Sequence, residues 1–100
     1  MENPYQDKTP GQLAELLLIL AAEFENLSVE LEDILKWKDL NWTQLRQTVQ
    51  SDKQADRLWF QTEPGLRERS IEMRTKNIKV QQSSIKHYLK VKENEARSLY

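Results

Sequence analysis

One hundred residues suffice for a single domain and are too few for two independent hydrophobic cores. Two glycines and three prolines are too few turn residues for a sheet protein of this size, and the lack of cysteine excludes disulfides and thiolate metal sites. The net charge of −1 hides an asymmetry, because residues 1–36 carry eight acids and two bases, whereas residues 62–100 carry five acids and nine bases.

A first helix is predicted from about residue 10 to residue 37, after a polar tail over residues 1–8. Thr9 is a good N-cap, Pro10 suits the first helical position, and Gln12 lies where the partner of a capping box belongs. Apolar side chains then alternate at spacings of four and three residues: Leu13, Leu17, Leu20, Phe24, Leu27, Leu31 and Ile34. This pattern is typical of a helix that packs along another helix.

A second helix is predicted over about residues 42–61, after a short connection that follows Trp37. Asn41 is a suitable N-cap, with Gln44 three residues later. Its apolar residues cluster at the two ends, because the polar run from Gln50 to Gln54 interrupts them. We therefore expect this helix to have a weak centre.

The strongest helix-breaking signal of the chain lies between Thr62 and Gly65. Pro64 lacks a backbone donor and disfavours a helical conformation for Glu63. Two interpretations are open: a tight turn between antiparallel helices, which we favour, or a kink within one long helix, with Thr62 capping the second half of that helix. A third helix is predicted over about residues 65–97.

In the third helix, about half of the positions expected to form the packing seam hold polar residues. Ile71, Ile78, Ile85 and Leu99 lie on a seven-residue line that Lys92 interrupts, and the positions four residues after that line hold Thr75, Gln82, Leu89 and Ala96. The expected fold is thus an all-α, antiparallel bundle of about three helices with coiled-coil-like packing, forming one helical domain over residues 1–100. Because such a bundle has a thin core, we expect the chain to form homo-oligomers.

The basic residues of the third helix have two interpretations. They could contact a nucleic-acid backbone, for which the candidates are Arg67, Arg74, Lys79, Lys86 and Lys90. Alternatively, four of them flank the packing seam as Glu23 and Glu30 do on the first helix, so that the acidic helix would lie against the basic one: Arg67, Arg74, Lys79 and Lys86. We favour the second interpretation, since it explains the charge asymmetry without a nucleic acid.

No pattern in the sequence is typical of a catalytic, metal or cofactor site. His87 is the only histidine and has no ligand or carboxylate at a spacing that would form a metal site or triad. The acids near residues 23–33 lack the Glu-x-x-His motif of di-iron bundles. We therefore expect a protein that is not an enzyme, with no cofactor.

The N-terminal residues and the longest apolar stretch bear on the subcellular location of the protein. The segment from Met1 to Lys8 lacks the order of basic and then apolar residues of a signal peptide. The most apolar stretch, Leu16 to Ala22, is far shorter than the roughly 20 residues of a membrane span. We expect a cytoplasmic protein without a membrane partner.

The aromatic residues are the best candidates for contacts with another protein. Tryptophan is enriched at the energetic centres of protein interfaces, and the candidate partner-binding residues are Trp37, Lys38, Trp59 and Phe60. A core role is the alternative, favoured for Trp59 and Trp42 and left open for Trp37. The expected function is a helical interaction or adaptor protein that contacts protein partners through its helix faces. The second candidate is a nucleic-acid-associated accessory protein of phage or bacterial type.

Overall fold

The computed structural model describes residues 5–98, except for the side chains of Ala96 and Ser98. Within these residues the chain forms three helices and no strand: α1 (Pro10–Gln47), α2 (Asp52–Trp59) and α3 (Glu63–Ser98). The predicted all-helical class is therefore confirmed for the described part of the chain. Two positions of the predicted third-helix pattern, the side chain of Ala96 and Leu99, lie outside the described residues.

Helix α1 begins at the predicted cap but continues ten residues beyond the predicted end. The backbone N–H of Gln12 donates to Thr9 Oγ1 at 3.1 Å, and Gln12 Oε1 accepts from the Thr9 N–H at 2.9 Å. The predicted connection after Trp37 is wrong, since α1 runs through it to Gln47. Asn41 does not cap a helix there. Its side-chain amide donates to the Trp37 carbonyl at 2.8 Å, which satisfies it inside a continuous helix.

The turn between α1 and α2 makes the second helix much shorter than predicted. Arg46 holds this turn, because its guanidinium donates to the carbonyls of Val49 and Gln50 at 2.9 and 3.3 Å. Ser51 then caps α2 by accepting from the Gln54 N–H at 3.2 Å. The polar run over residues 50–54 thus forms a turn and a new helix start, which corrects the prediction of one helix over residues 42–61.

The chain turns at residues 60–62, so the break that Pro64 signals is a turn between two helices rather than a kink. Thr62 caps α3, because its Oγ1 accepts from the Gly65 N–H at 3.1 Å. Pro64 lies in the first turn of α3, where a helix does not need the missing N–H. A Cβ atom at Gly65 would lie 1.9 Å from the Trp59 carbonyl oxygen, so only glycine allows this close approach of α3 to the end of α2.

The described residues divide into two compact units. Unit 1 combines the chain up to Phe24 with the chain from Lys76 onward, and its buried apolar side chains are Leu13, Leu20, Ile78 and Ile85. Unit 2 spans Glu25–Thr75, and its buried apolar side chains are Ala55, Trp59 and Ile71. The three isoleucines of the predicted seven-residue line on α3 are therefore core residues.

Part of the predicted polar tail contacts α3 within unit 1. The Lys8 N–H donates to the Tyr5 carbonyl at 3.2 Å, which closes a turn. The Tyr5 ring lies 6.3 Å from the Tyr88 ring, and Lys92 Nζ donates to the Gln6 carbonyl at 3.3 Å. Tyr5 and Gln6 of the polar tail predicted over residues 1–8 thus make contacts with α3, and residues 1–4 of that tail lie outside the described residues. No helix in the described part of the chain has both the length and the apolar character needed to cross a membrane.

Candidate binding pocket

A half-open pocket of about 300 Å³ lies in unit 2, between the C-terminal part of α1 and the end of α2. Indole rings and a leucine form its apolar wall, and amides and hydroxyls lie among them. The lining residues are Trp37, Lys38, Asn41, Trp42, Gln44, Leu45, Thr48, Trp59 and Thr62. The pocket exists because α1 does not end near residue 37, so that its last turns remain available as a wall.

Two stacked tryptophans connect the pocket to the core of unit 2. The rings of Trp37 and Trp59 lie 5.6 Å apart with an angle of 29° between their planes. Trp59 is 2% exposed, whereas Trp37 is 47% exposed. Trp59 is therefore a core residue, as its alternative interpretation proposed, and Trp37 presents a large apolar surface to solvent.

Lys38 lies among the aromatic rings and pairs with a buried acid. Its Nζ lies 5.7, 5.1 and 5.6 Å from the ring centroids of Trp42, Trp59 and Phe60, within the range of cation–π attraction. The same Nζ lies 3.5 Å from Glu68 Oε1. The four candidate partner-binding residues thus form one cluster, although Phe60 itself does not line the pocket.

Glu68 organises this cluster and was not singled out by the sequence. It is 3% exposed, and its Oε2 accepts from Trp59 Nε1 at 3.1 Å. A buried carboxylate is costly unless it is paired and hydrogen-bonded, and Glu68 is both. In the sequence, Glu68 lies between basic residues of α3, as an exposed acid would. Its role therefore becomes visible only from the packing of unit 2.

The candidate nucleic-acid residues are divided between the two units. Arg67 and Arg74 belong to unit 2, whereas Lys79, Lys86 and Lys90 belong to unit 1. Arg67 donates to both carboxylate oxygens of Glu30 at 2.8 Å, and these hydrogen bonds lower the pKa of Glu30 and raise the pKa of Arg67. Lys79 Nζ lies 5.7 Å from the Phe24 ring centroid. At least Arg67 and Lys79 among the five bases are therefore engaged by α1.

Binding of a metal ion or acid–base chemistry would require suitably placed titratable side chains among the described residues. His87 is exposed, and its ring lies edge-on to Tyr88 at 6.5 Å. Among the described residues, no group of three histidines or acids is arranged to hold a metal ion. The pocket in unit 2 is mainly apolar. Lys38 is the one cation in its lining, and it is already paired with an acid. This arrangement suits the binding of an uncharged apolar group.

Comparisons with known proteins give no relative. A search against the models of protein families finds no match, and searches of curated proteins and of solved structures find none either.

Proposed function

We propose that the chain is a non-enzymatic interaction protein that contacts protein partners through its helix faces, with the pocket of unit 2 as the contact site. The observation that carries the proposal is Trp37, which is 47% exposed at an apolar pocket while stacked on a buried tryptophan. Half-exposed tryptophans beside pockets are typical of the residues that dominate binding energy in protein interfaces. The volume of about 300 Å³ suits one or two apolar side chains.

The rigidity of the pocket supports this proposal. Trp59 is held by its hydrogen bond to Glu68 and by the close approach of Gly65 to its carbonyl. Lys38 is held by Glu68 and by three rings. A wall that is already ordered loses little conformational entropy when a partner binds, so more of the contact energy appears as affinity.

The same proposal includes antiparallel, coiled-coil-like packing of α1 and α3. In unit 1, Lys92 of α3 donates to Gln6, which precedes α1, whereas Lys79 of α3 lies over Phe24 of α1. Later positions in the N-terminal part of the chain thus meet earlier positions on α3. The seven-residue spacing of the buried isoleucines on α3 is the spacing of such a seam.

Self-association and a cytoplasmic location complete the proposal. Several large apolar side chains are more than 60% exposed, among them Leu18, Leu40 and Val80. Exposed apolar groups of this size are commonly covered by a partner when they form a patch. The lack of cysteine fits a reducing compartment.

Photo-crosslinking in the cell tests whether the pocket contacts a protein. A photoreactive benzoylphenylalanine replaces Trp37 in one variant and Met73 in the control. Met73 suits this purpose because it is 62% exposed in the same unit and does not line the pocket. We expect protein adducts from position 37 and none from position 73. No adduct at position 37, or the same adducts at both positions, would contradict the proposed function.

A further inference from the structure

An exposed leucine projects beside the pocket of unit 2. Leu40 is 82% exposed, more than any other large apolar side chain in the described part of the chain. It lies on α1 three residues after Trp37 and four residues before Gln44, and both of these residues line the pocket. Residues three and four apart are neighbours on a helix surface. An apolar projection and an apolar pocket therefore share one patch of the molecule.

A patch that contains both a projection and a pocket can pair with an identical patch. In a two-fold symmetric contact, each feature of one copy meets the complementary feature of the other, so one patch makes two equivalent insertions. We propose that the pocket is occupied by a second copy of this chain, with Leu40 of each copy inserted beside Trp37 and Leu45 of the other. The inference rests on the proposed function and names its partner.

The charges around the patch favour a second copy. Lys38 in the pocket lining pairs with Glu68 at 3.5 Å, and Lys36, four residues before Leu40 on α1, pairs with Glu32 at 3.3 Å. Each of these cations is balanced by an acid of its own chain. Two identical patches often repel because like charges face each other, and pairing these cations with acids of their own chain lowers that repulsion.

The leucine also has the chemistry that the pocket accepts. The pocket wall consists of indole faces and Leu45, and its one cation is already paired, so an uncharged apolar side chain fits without leaving a buried charge unmatched. Leu40 needs no rearrangement of the chain to serve as that group, because it is already exposed.

Sedimentation equilibrium measures the proposed dimer. We expect the chain to reach twice the 11.9 kDa monomer mass, and Leu40→Asp to weaken association at least tenfold, which corresponds to about 1.4 kcal/mol. Met73→Asp is the matched control, because Met73 is 62% exposed in unit 2 but lies outside the pocket lining. Since both side chains are exposed in one chain, both variants should keep the helical circular dichroism of the parent.

The cysteine-free sequence allows a second, geometric test. A chain with Leu40→Cys is mixed with a tagged chain carrying Thr48→Cys, since Thr48 lines the pocket. Mild oxidation should give the mixed disulfide rapidly, and replacing the first chain by Met73→Cys should not.

Three results would overturn the inference: a monomer at every concentration, a dimer that tolerates Leu40→Asp, or equal cross-linking by both cysteine pairs. A monomer that still forms photo-adducts with a different protein at position 37 would reject the second copy and keep the proposed function. A dimer of parental affinity in Leu40→Asp would place self-association on another surface.

Discussion

The indole N–H of Trp59 donates to Glu68 at 3.1 Å, and this bond joins two side chains that are 2% and 3% exposed. It connects the last residue of α2 with the second turn of α3 across the turn at residues 60–62. Lys38 of α1 reaches the other oxygen of the same carboxylate. One buried acid therefore joins all three helices in unit 2 and holds a wall of the pocket in place.

Removing the cation of this cluster should destabilise the protein measurably. Lys38→Met leaves the buried Glu68 carboxylate with one hydrogen bond and no counter-charge, and we expect the free energy of unfolding to fall by about 1–3 kcal/mol. Lys36→Met is the control, because its ion pair with Glu32 is exposed on both sides, and it should change stability by less than about 0.5 kcal/mol. Urea denaturation of both variants decides the matter, and equal losses would remove the special role of Glu68.

Alanine should destabilise the protein at Gly65 but not at Gly11. At Gly65 the new Cβ would lie 1.9 Å from the Trp59 carbonyl oxygen, a backbone atom that cannot rotate away, so we expect a loss of about 1–3 kcal/mol. At Gly11 the nearest atom, Thr9 Oγ1, lies 3.9 Å away, and alanine should be neutral or stabilise by up to about 1 kcal/mol. Thermal or urea unfolding compares the variants. A Gly65→Ala protein as stable as Gly11→Ala would show that α3 shifts freely against α2.

The core of unit 1 should depend on the isoleucine line of α3. Ile78 is 0% exposed, so Ile78→Ala should reduce the free energy of unfolding by about 2–5 kcal/mol. Val80, two residues later on the same helix, is 65% exposed, and Val80→Ala should cost less than about 0.5 kcal/mol. Denaturant midpoints of the two variants test this difference. Similar midpoints would mean that Val80 is covered in solution.

The periodic parts of the fold could be predicted from the sequence because spacing alone determines them. The seven-residue line of Ile71, Ile78 and Ile85 identifies the buried side of α3. The break before Pro64 follows from the missing N–H of proline. The continuation of α1 past Trp37 could not be predicted from the sequence. An asparagine such as Asn41 can either cap a new helix or, as here, lie within a helix and donate to the carbonyl four residues earlier.

The candidate site was only partly predictable, for a different reason. Trp37 and Trp59 are prominent because the chain has only three tryptophans, and Lys38 directly follows Trp37. The structure gathers these three residues at one pocket. Glu68 is thirty residues from Lys38, and nothing local distinguishes it from other acids of α3. Its contact depends on how the helices of unit 2 pack, which spacing along one helix does not specify.

The pair of Glu30 and Arg67 should give a measurable pH response. Two hydrogen bonds from Arg67 lower the pKa of Glu30. The pair therefore contributes fully to the stability of the folded protein above the ordinary pKa of a glutamate, about 4.3. This stabilisation is lost as the pH falls through the lowered pKa of Glu30. Arg67→Gln should raise the Glu30 pKa, measured from the carboxyl chemical shift by NMR. Arg69→Gln is the control, since Arg69 lies over the Phe60 ring and should leave that titration unchanged. An unaltered midpoint in Arg67→Gln would show that the pair does not persist in solution.

The bases of α3 should not make the chain a tight nucleic-acid binder. Arg67 is engaged by Glu30 through two hydrogen bonds, and Lys79 lies over Phe24, so both would have to leave partners on α1 to reach a phosphate backbone. We expect no binding to duplex or single-stranded nucleic acid tighter than roughly 10⁻⁶ M near physiological salt, the range of ordinary non-specific affinity. Fluorescence anisotropy over a salt series measures it, with Lys86→Glu as the test variant because Lys86 is exposed. Tight binding that falls steeply with salt and is lost in Lys86→Glu, while the circular dichroism is unchanged, would favour the nucleic-acid function over the protein-binding one.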